Sequence, residues 1–241
     1  MNRISQKDII RAIQQIQFNP ELRKGRASST YDLIFEGIAY PPKLVISIAN
    51  KYATGKELNP NDFEGGVGTP SFKLLQKEGF KIITKEQNIT EIKDNNEFVE
   101  LIEKFINQSK TNDLKTSTYN KQFKGLEVKV SFGKGRSARI PWVGLLKEPN
   151  TISKGIYPVF LLFKEFNVLV LAYCISETNK PEFKWSNIDF SNTINNWHSR
   201  EYKKSPYRYG SSYIKGIYNL DFKIDKEMIK QDLNEIVFEY Q

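Results

Sequence analysis

The chain has 241 residues, with 36 Lys and Arg against 28 Asp and Glu (formal net charge +8), one His and one Cys. That length suits one large domain or two small ones, and 39% hydrophobic with 27% charged residues is the composition of a folded chain rather than a disordered one. A lone Cys174 excludes an internal disulfide, one His and one Cys exclude a zinc finger, and apolar runs such as 168–175 fall far short of the roughly 20 residues that span a bilayer.

The opening MNRISQKDII lacks the apolar core of a secretion signal, so a cytoplasmic location is expected. Residues 8–18 place Ile9, Ile10, Ile13 and Ile16 on one helical face, with Ser5 as N-cap. Residues 31–35 read as a strand. IAYPPKLVISIANKYATG reads as a short strand turning into a helix, with Pro41 and Pro42 at its start and Gly55 ending it. A further helix opens at Thr69-Pro70, runs to Lys77 and stops at Gly79, and residues 80–84 form a strand. The polar stretch 84–96 reads as a linker, which divides the chain into domains 1–92 and 93–241.

The second half opens with a helix over 96–109, whose Phe98, Leu101, Ile102, Phe105 and Ile106 form one stripe. Four strands follow, at 126–132, 139–146, 156–163 and 168–175, the last two joined by a loop of hairpin length. A helix around 189–199, a basic loop over 200–213 and a final helix over 225–240 complete the chain. That last helix starts at an acidic cap and presents Met228, Ile229, Leu233, Ile236 and Val237 on one face. The expected class is α+β: two small domains, the second a mixed or antiparallel sheet flanked by helices.

Charge is concentrated. Residues 112–219 hold 17 basic and 8 acidic side chains, a net +9, which calls for a polyanionic partner. KQFKGLEVKVSFGKGRSARIPW carries Lys121, Lys124, Lys129, Lys134, Arg136 and Arg139 around a glycine-bearing loop. Glycines let such a loop approach a backbone closely while the cations neutralise phosphates. Residues 200–215 interleave Lys203, Lys204 and Arg208 with Tyr202, Tyr207, Tyr209 and Tyr213, a mixture that suits phosphate contact plus base stacking. A reader of single bases also needs flat walls against which a flipped base recovers its lost stacking, and Trp142, after Ile140-Pro141, is one such wall or else a core residue.

Other chemistry has less support. No phosphate-binding G-x-x-x-x-G-K-[ST] loop occurs; the nearest piece, residues 53–56, lacks the first glycine and the closing Ser or Thr. Cys174 sits inside VLVLAYCI, where an inert buried thiol outweighs a Cys174–His198 nucleophilic pair. Glu182-Phe183-Lys184 has the E-x-K spacing of metal-dependent nucleases but follows Asn179-Lys180-Pro181, a loop rather than a strand. Lys43, at a helix start, suits a phosphate or simply a helix start.

The segments LEVKVSFGKGRSARIPWVGLL, KGIYPVFLLFKEFNVLVLAYCISETNKP and KSPYRYGSSY, with the opening helix FVELIEKFINQ and the final helix, are similar to the N-terminal DNA-binding domain of the McrB family of modification-dependent (type IV) restriction systems. The resemblance runs over residues 96–241. It implies a domain that reads methylated cytosine in duplex DNA by turning the base into a pocket. Trp142, Leu161 and Tyr209 then correspond to pocket walls and Tyr157 to an aromatic beside them, while Glu177 stands where a relative has Asp. Lys129, Lys134, Arg136, Arg139, Lys203, Lys204 and Arg208 are the expected backbone or wedge contacts. One buried methyl is worth about 1 kcal/mol, so modest discrimination is expected.

In the SFG-x-G loop the relative has Tyr where this chain has Lys134. Either Lys134 reaches a phosphate or Arg136 fills the hole left by the flipped base. Methylcytosine is the first choice of ligand, with hydroxymethylated and glucosylated bases open. Residues 31–80 resemble the N-terminal head domain of ScoMcrA-like restriction enzymes, which implies neither a DNA-clamping nor a partner-docking role over the other. The resemblance implies no catalysis, metal or cofactor in this chain, and an AAA+ GTPase and a nuclease subunit as partners. The alternatives are a metal-dependent nuclease, a nonspecific DNA- or RNA-binding module, or a partner-docking module.

Overall fold

The computed structural model describes residues 3–186 and 188–241. The chain divides into two compact units, Met1–Lys93 and Asp94–Gln241, and the whole is an α+β fold.

In the first unit, α1 (Gln6–Phe18) starts at a reciprocal cap: Asp8 N–H donates to the Ser5 hydroxyl at 3.4 Å, and Ser5 N–H donates to the Asp8 carboxylate at 3.0 Å. Strands β1 (Tyr31–Phe35), β2 (Ile38–Tyr40) and β3 (Lys81–Thr84) form an antiparallel sheet in the order β2-β1-β3. Helix α2 (Pro42–Thr54) begins on proline and ends at Gly55, and α3 (Pro70–Lys77) is capped by Thr69. Ile9, Ile13, Leu33, Tyr40, Leu44, Ile48 and Leu75 close the core between helices and sheet.

The stretch expected as a linker is helical. Helix α4 spans Lys85–Ser109, eleven residues earlier than the expected start. Residues 84–96 contain neither Pro nor Gly, so nothing in them breaks a helix. Thr84 and Gln87 supply the start: Gln87 N–H donates to the Thr84 hydroxyl at 3.1 Å, and Thr84 N–H donates to the Gln87 side-chain oxygen at 2.9 Å.

The second unit is built on a six-stranded, wholly antiparallel sheet. Its order follows the sequence, from β4 (Gln122–Phe123) through β5 (Leu126–Ser131), β6 (Trp142–Leu146), β7 (Ile156–Phe163) and β8 (Val168–Ile175) to β9 (Tyr213–Asn219). Every residue of β7, and all of β8 but Ile175, is buried. Alternate side chains face opposite ways. Phe160, Leu162, Leu169 and Leu171 pack with Phe105 of α4 and Leu233 of α6 (Lys226–Tyr240). Tyr157, Leu161, Val170 and Cys174 pack on the other side with Ile194 and Trp197 of α5 (Ile194–Tyr202).

Three expected elements shift. β6 begins at Trp142 rather than 139, because Pro141 has no N–H to give a ladder. α5 begins at Ile194, since Asp189 is engaged in a turn, its carboxylate accepting from Ser191 N–H at 2.9 Å, and Thr193 provides the cap. The helix also takes residues 200–202 from the expected basic loop. On α6 the buried stripe is Ile229, Leu233, Ile236 and Val237, while Met228 lies outside it, 51% exposed.

Candidate nucleic-acid interface

Strand register builds one wall of a cleft. Ser131 stands opposite Trp142, Trp142 opposite Leu161, and Tyr157 opposite Cys174. The two-residue repeat of a strand puts Trp142, Leu161 and Tyr157 on one sheet face. Trp142 is half-buried, whereas Leu161 is fully buried and Tyr157 is 3% exposed.

The loop between β5 and β6 folds over that face. Ala138 N–H donates to the Phe132 carbonyl at 2.7 Å, closing a turn in which Gly133 has φ 115°. A Cβ at position 133 would lie 2.1 Å from the Arg136 carbonyl oxygen, so only glycine fits there. The tight turn leaves Lys134 and Arg136 exposed.

The facing wall is the segment 206–212, which is tied down at several points. Ile194 N–H donates to the Ser212 carbonyl at 2.9 Å and Asn195 N–H to the Gly210 carbonyl at 3.0 Å. Ile175 N–H donates to the Ser212 hydroxyl at 3.1 Å. The Arg208 guanidinium pairs with Glu177 at 3.3 Å, joining this segment to the chain just after β8. These ties hold Tyr209 at φ 67°, left-handed backbone that costs a non-glycine residue about 1–2 kcal/mol.

Between the walls lies a cleft of about 460 Å³ that gathers Trp142 and Tyr209 with Lys134, Arg136, Arg139 and Arg208. Leu161, Tyr157 and Glu177 are not on its surface. Leu161 is buried beside Trp142, the Tyr157 hydroxyl donates to the Ile152 carbonyl at 3.2 Å, and Glu177 is paired with Arg208. Lys129 shares the sheet face, opposite Gly144, but pairs with Glu127 at 3.1 Å outside the cleft. Lys203 ends α5 with its ammonium on the Arg200 carbonyl at 3.0 Å. Burial pushes the Tyr209 hydroxyl up to about 12 and drives Tyr157 higher still, so both remain neutral phenols.

A second cleft, of about 560 Å³, adjoins the first. It shares residues 137–140 and Tyr207 with it and adds Phe163, Lys164, Glu165, Phe166, His198 and Lys204. Glu165 and Phe166 carry no signal in the sequence, and His198 stands out there only as a partner for Cys174. They meet Lys204 only because the β7–β8 turn and the segment after α5 fold together. Tyr202 and Tyr213, from the same tyrosine-rich stretch, have structural roles instead: Tyr202 stacks on Phe166 at 3.6 Å and Tyr213 meets Phe190 edge-on at 5.3 Å.

Burial pushes the Cys174 thiol up to about 11, while His198 Nδ1 lies 2.6 Å from the Lys204 carbonyl. Glu182 is exposed and paired with Lys154. Among the described residues no group of three or more His, Cys, Asp or Glu stands where it would hold a metal ion, and no helix is long and apolar enough to cross a membrane. The Lys43 ammonium lies 5.1 Å over the Phe63 ring.

Comparison with known proteins divides the chain in the same order. Residues 2–84 match the family described as ScoMcrA-like, N-terminal head domain, and residues 81–182 match the family described as MrcB-like, N-terminal domain. Over 142 residues, 58% of this chain, it is 37% identical to the type IV methyl-directed restriction enzyme EcoKMcrB subunit of Escherichia coli strain K12. The match covers 31% of that relative, so the chain spans about a third of its length. Trp142, Tyr157, Leu161 and Glu177 fall inside the second family match, and Tyr209 lies beyond it. The chain is thus similar to a ScoMcrA-like N-terminal head domain over residues 2–84 and to an MrcB-like N-terminal domain over residues 81–182.

Proposed function

We propose that residues 94–241 are the DNA-reading part of a modification-dependent restriction system, binding duplex DNA and receiving a modified cytosine turned out of the stack. The observation that carries this reading is the cleft that sets the rings of Trp142 and Tyr209 among Lys134, Arg136, Arg139 and Arg208. Rings recover the stacking that a flipped base loses, and cations around them hold the adjoining phosphates. The likeness to a subunit named as methyl-directed supports the choice of a modified base. Leu161 and Tyr157 serve as backing, holding Trp142 and the sheet face in place, and Glu177 positions Arg208.

Arg136 is the better wedge in place of Lys134. A guanidinium is planar and stacks on bases, whereas an ammonium is a compact, strongly hydrated charge. In this reading Lys134 contacts phosphate. Cleavage and GTP hydrolysis belong to an AAA+ ring and a nuclease, on other chains or other regions, and this part of the molecule supplies recognition alone.

The test is binding to matched duplexes carrying cytosine, 5-methylcytosine, 5-hydroxymethylcytosine or glucosylated hydroxymethylcytosine at about physiological salt. A several-fold preference for one modified duplex is expected, with 5-methylcytosine first. Equal affinity for all four would reduce the molecule to a nonspecific DNA clamp.

A further inference from the structure

We infer that the second cleft is a phosphate seat for the strand whose base enters the first, and that Glu165 fills this seat in the free protein. The inference rests on the proposed DNA-reading function.

The two clefts adjoin, with residues 137–140 and Tyr207 lining both. A strand that gives one nucleotide to the first has the second next to it. At the boundary the Arg139 guanidinium lies 5.2 Å over the Tyr207 ring, which is 70% exposed. Beyond it, the Lys204 ammonium donates to Glu165 at 2.5 Å, and Arg139 approaches the same carboxylate at 3.6 Å. Two cations from distant parts of the sequence thus converge on one anionic position. A third, Lys164, sits at the rim with its ammonium 3.3 Å from the Ser137 hydroxyl.

Both converging cations have anchors that do not involve Glu165. Arg139 is held by the Tyr207 ring. The Lys204 ammonium lies 5.0 Å over the Phe166 ring, itself stacked on Tyr202, and the Lys204 carbonyl is held by His198 Nδ1. Removing the carboxylate therefore leaves the seat standing. Glu165 itself is exposed, at the middle of the short 3-10 turn Lys164–Phe166, and exposed ion pairs add little net stability. A phosphodiester, with one negative charge and two free oxygens, matches the position a two-oxygen carboxylate now occupies. Lys204 holds Glu165 below the usual carboxylate range, so it is fully charged at neutral pH and competes with phosphate for the same two cations. The competition weakens binding to every duplex and leaves recognition to the first cleft.

Glu165→Gln in the full chain tests this, keeping the shape and removing the charge. Affinity for modified and unmodified duplexes is expected to rise several-fold alike, with the dependence of log affinity on log salt steepened by about 1–2. Adding Lys204→Gln should cancel the gain. Glu182→Gln, an exposed carboxylate outside both clefts, should give no such rise. An unchanged affinity and slope in Glu165→Gln, with wild type binding DNA normally, would overturn the seat alone. An equal gain in Glu182→Gln would do the same, by exposing a general charge effect. Failure of the wild type to bind any duplex would overturn the DNA-reading function and the seat together.

Discussion

Trp142 and Leu161 stand opposite each other across β6 and β7, yet only Trp142 reaches the cleft. That difference decides which of the two reports on recognition. Trp142→Ala should abolish the preference for modified DNA while leaving most nonspecific binding intact. The loss in affinity for the modified duplex should be about 1–3 kcal/mol, the worth of one base stacked on a ring. Competition binding with modified and unmodified duplexes measures it, and an unchanged preference would remove Trp142 from the pocket.

Leu161→Ala should instead show itself as lost stability. The side chain is fully buried in the centre of the sheet, so truncation should cost about 2–5 kcal/mol, read as a lower urea midpoint. Any loss of DNA binding in that variant has to be judged at a temperature where it is still folded.

The two loop glycines should separate cleanly. At Gly133 a methyl group meets the Arg136 carbonyl at 2.1 Å; at Gly135, with φ 76°, it meets nothing within 4 Å. Gly133→Ala must therefore rearrange the turn and weaken DNA binding, while Gly135→Ala costs only about 1–2 kcal/mol of backbone strain and leaves the turn intact. Equal affinities for the two variants would mean that the turn's shape is irrelevant to the interface.

Lys134→Ala with Arg136→Ala should weaken binding to all duplexes and lower the salt slope by about 1 for the phosphate that Lys134 no longer neutralises; a fall of about 2 would put Arg136 on a phosphate as well. A titration of affinity against salt reads this directly. An unaltered slope would place the loop away from the phosphates.

Cys174 should be silent in the native protein. Its thiol is fully buried and pushed up to about 11, so a thiol reagent at about pH 8 should react only after unfolding. A folded-state value raised above the unfolded one also means stability that is complete below the unfolded value of 9.0. It should then decline as pH rises through about 11, because the unfolded chain releases this proton first. Rapid labelling of the native protein would show that the centre of the sheet opens.

Much of the frame is legible in the chain itself. The hairpin strands 156–163 and 168–175 are continuous apolar runs, and a run of that kind folds as a strand buried on both faces. Thr69, Gly55 and Asp225 mark helix ends through chemistry that acts over three or four residues. The capping pair Thr84 and Gln87 is equally readable, but polar composition over 84–96 outweighs it and suggests a linker. β9 is hidden differently: Lys215 and Gly216 interrupt its pattern, and it gains order only by pairing with β8.

At the interface the same division holds. Trp142, Lys134, Arg136 and Arg208 are visible because aromatics and cations cluster locally in the sequence. Glu165 is not, because its meaning depends on Lys204, 39 residues away. The closed positions of Leu161 and Tyr157 are invisible for a related reason: a motif specifies which residues are near, and register with burial decides which of them remain accessible.

The burial of β7 and β8 on both faces has a consequence for how such a reader changes. Every side chain in that central pair but Ile175 is buried, whereas most of the cleft surface comes from residues 131–140 and 207–209. Those two segments hang from the frame through backbone hydrogen bonds and turn geometry, so their exposed side chains can be exchanged without disturbing what lies beneath. Under the proposed function, a new target preference is then reachable by a handful of loop substitutions on an unchanged frame.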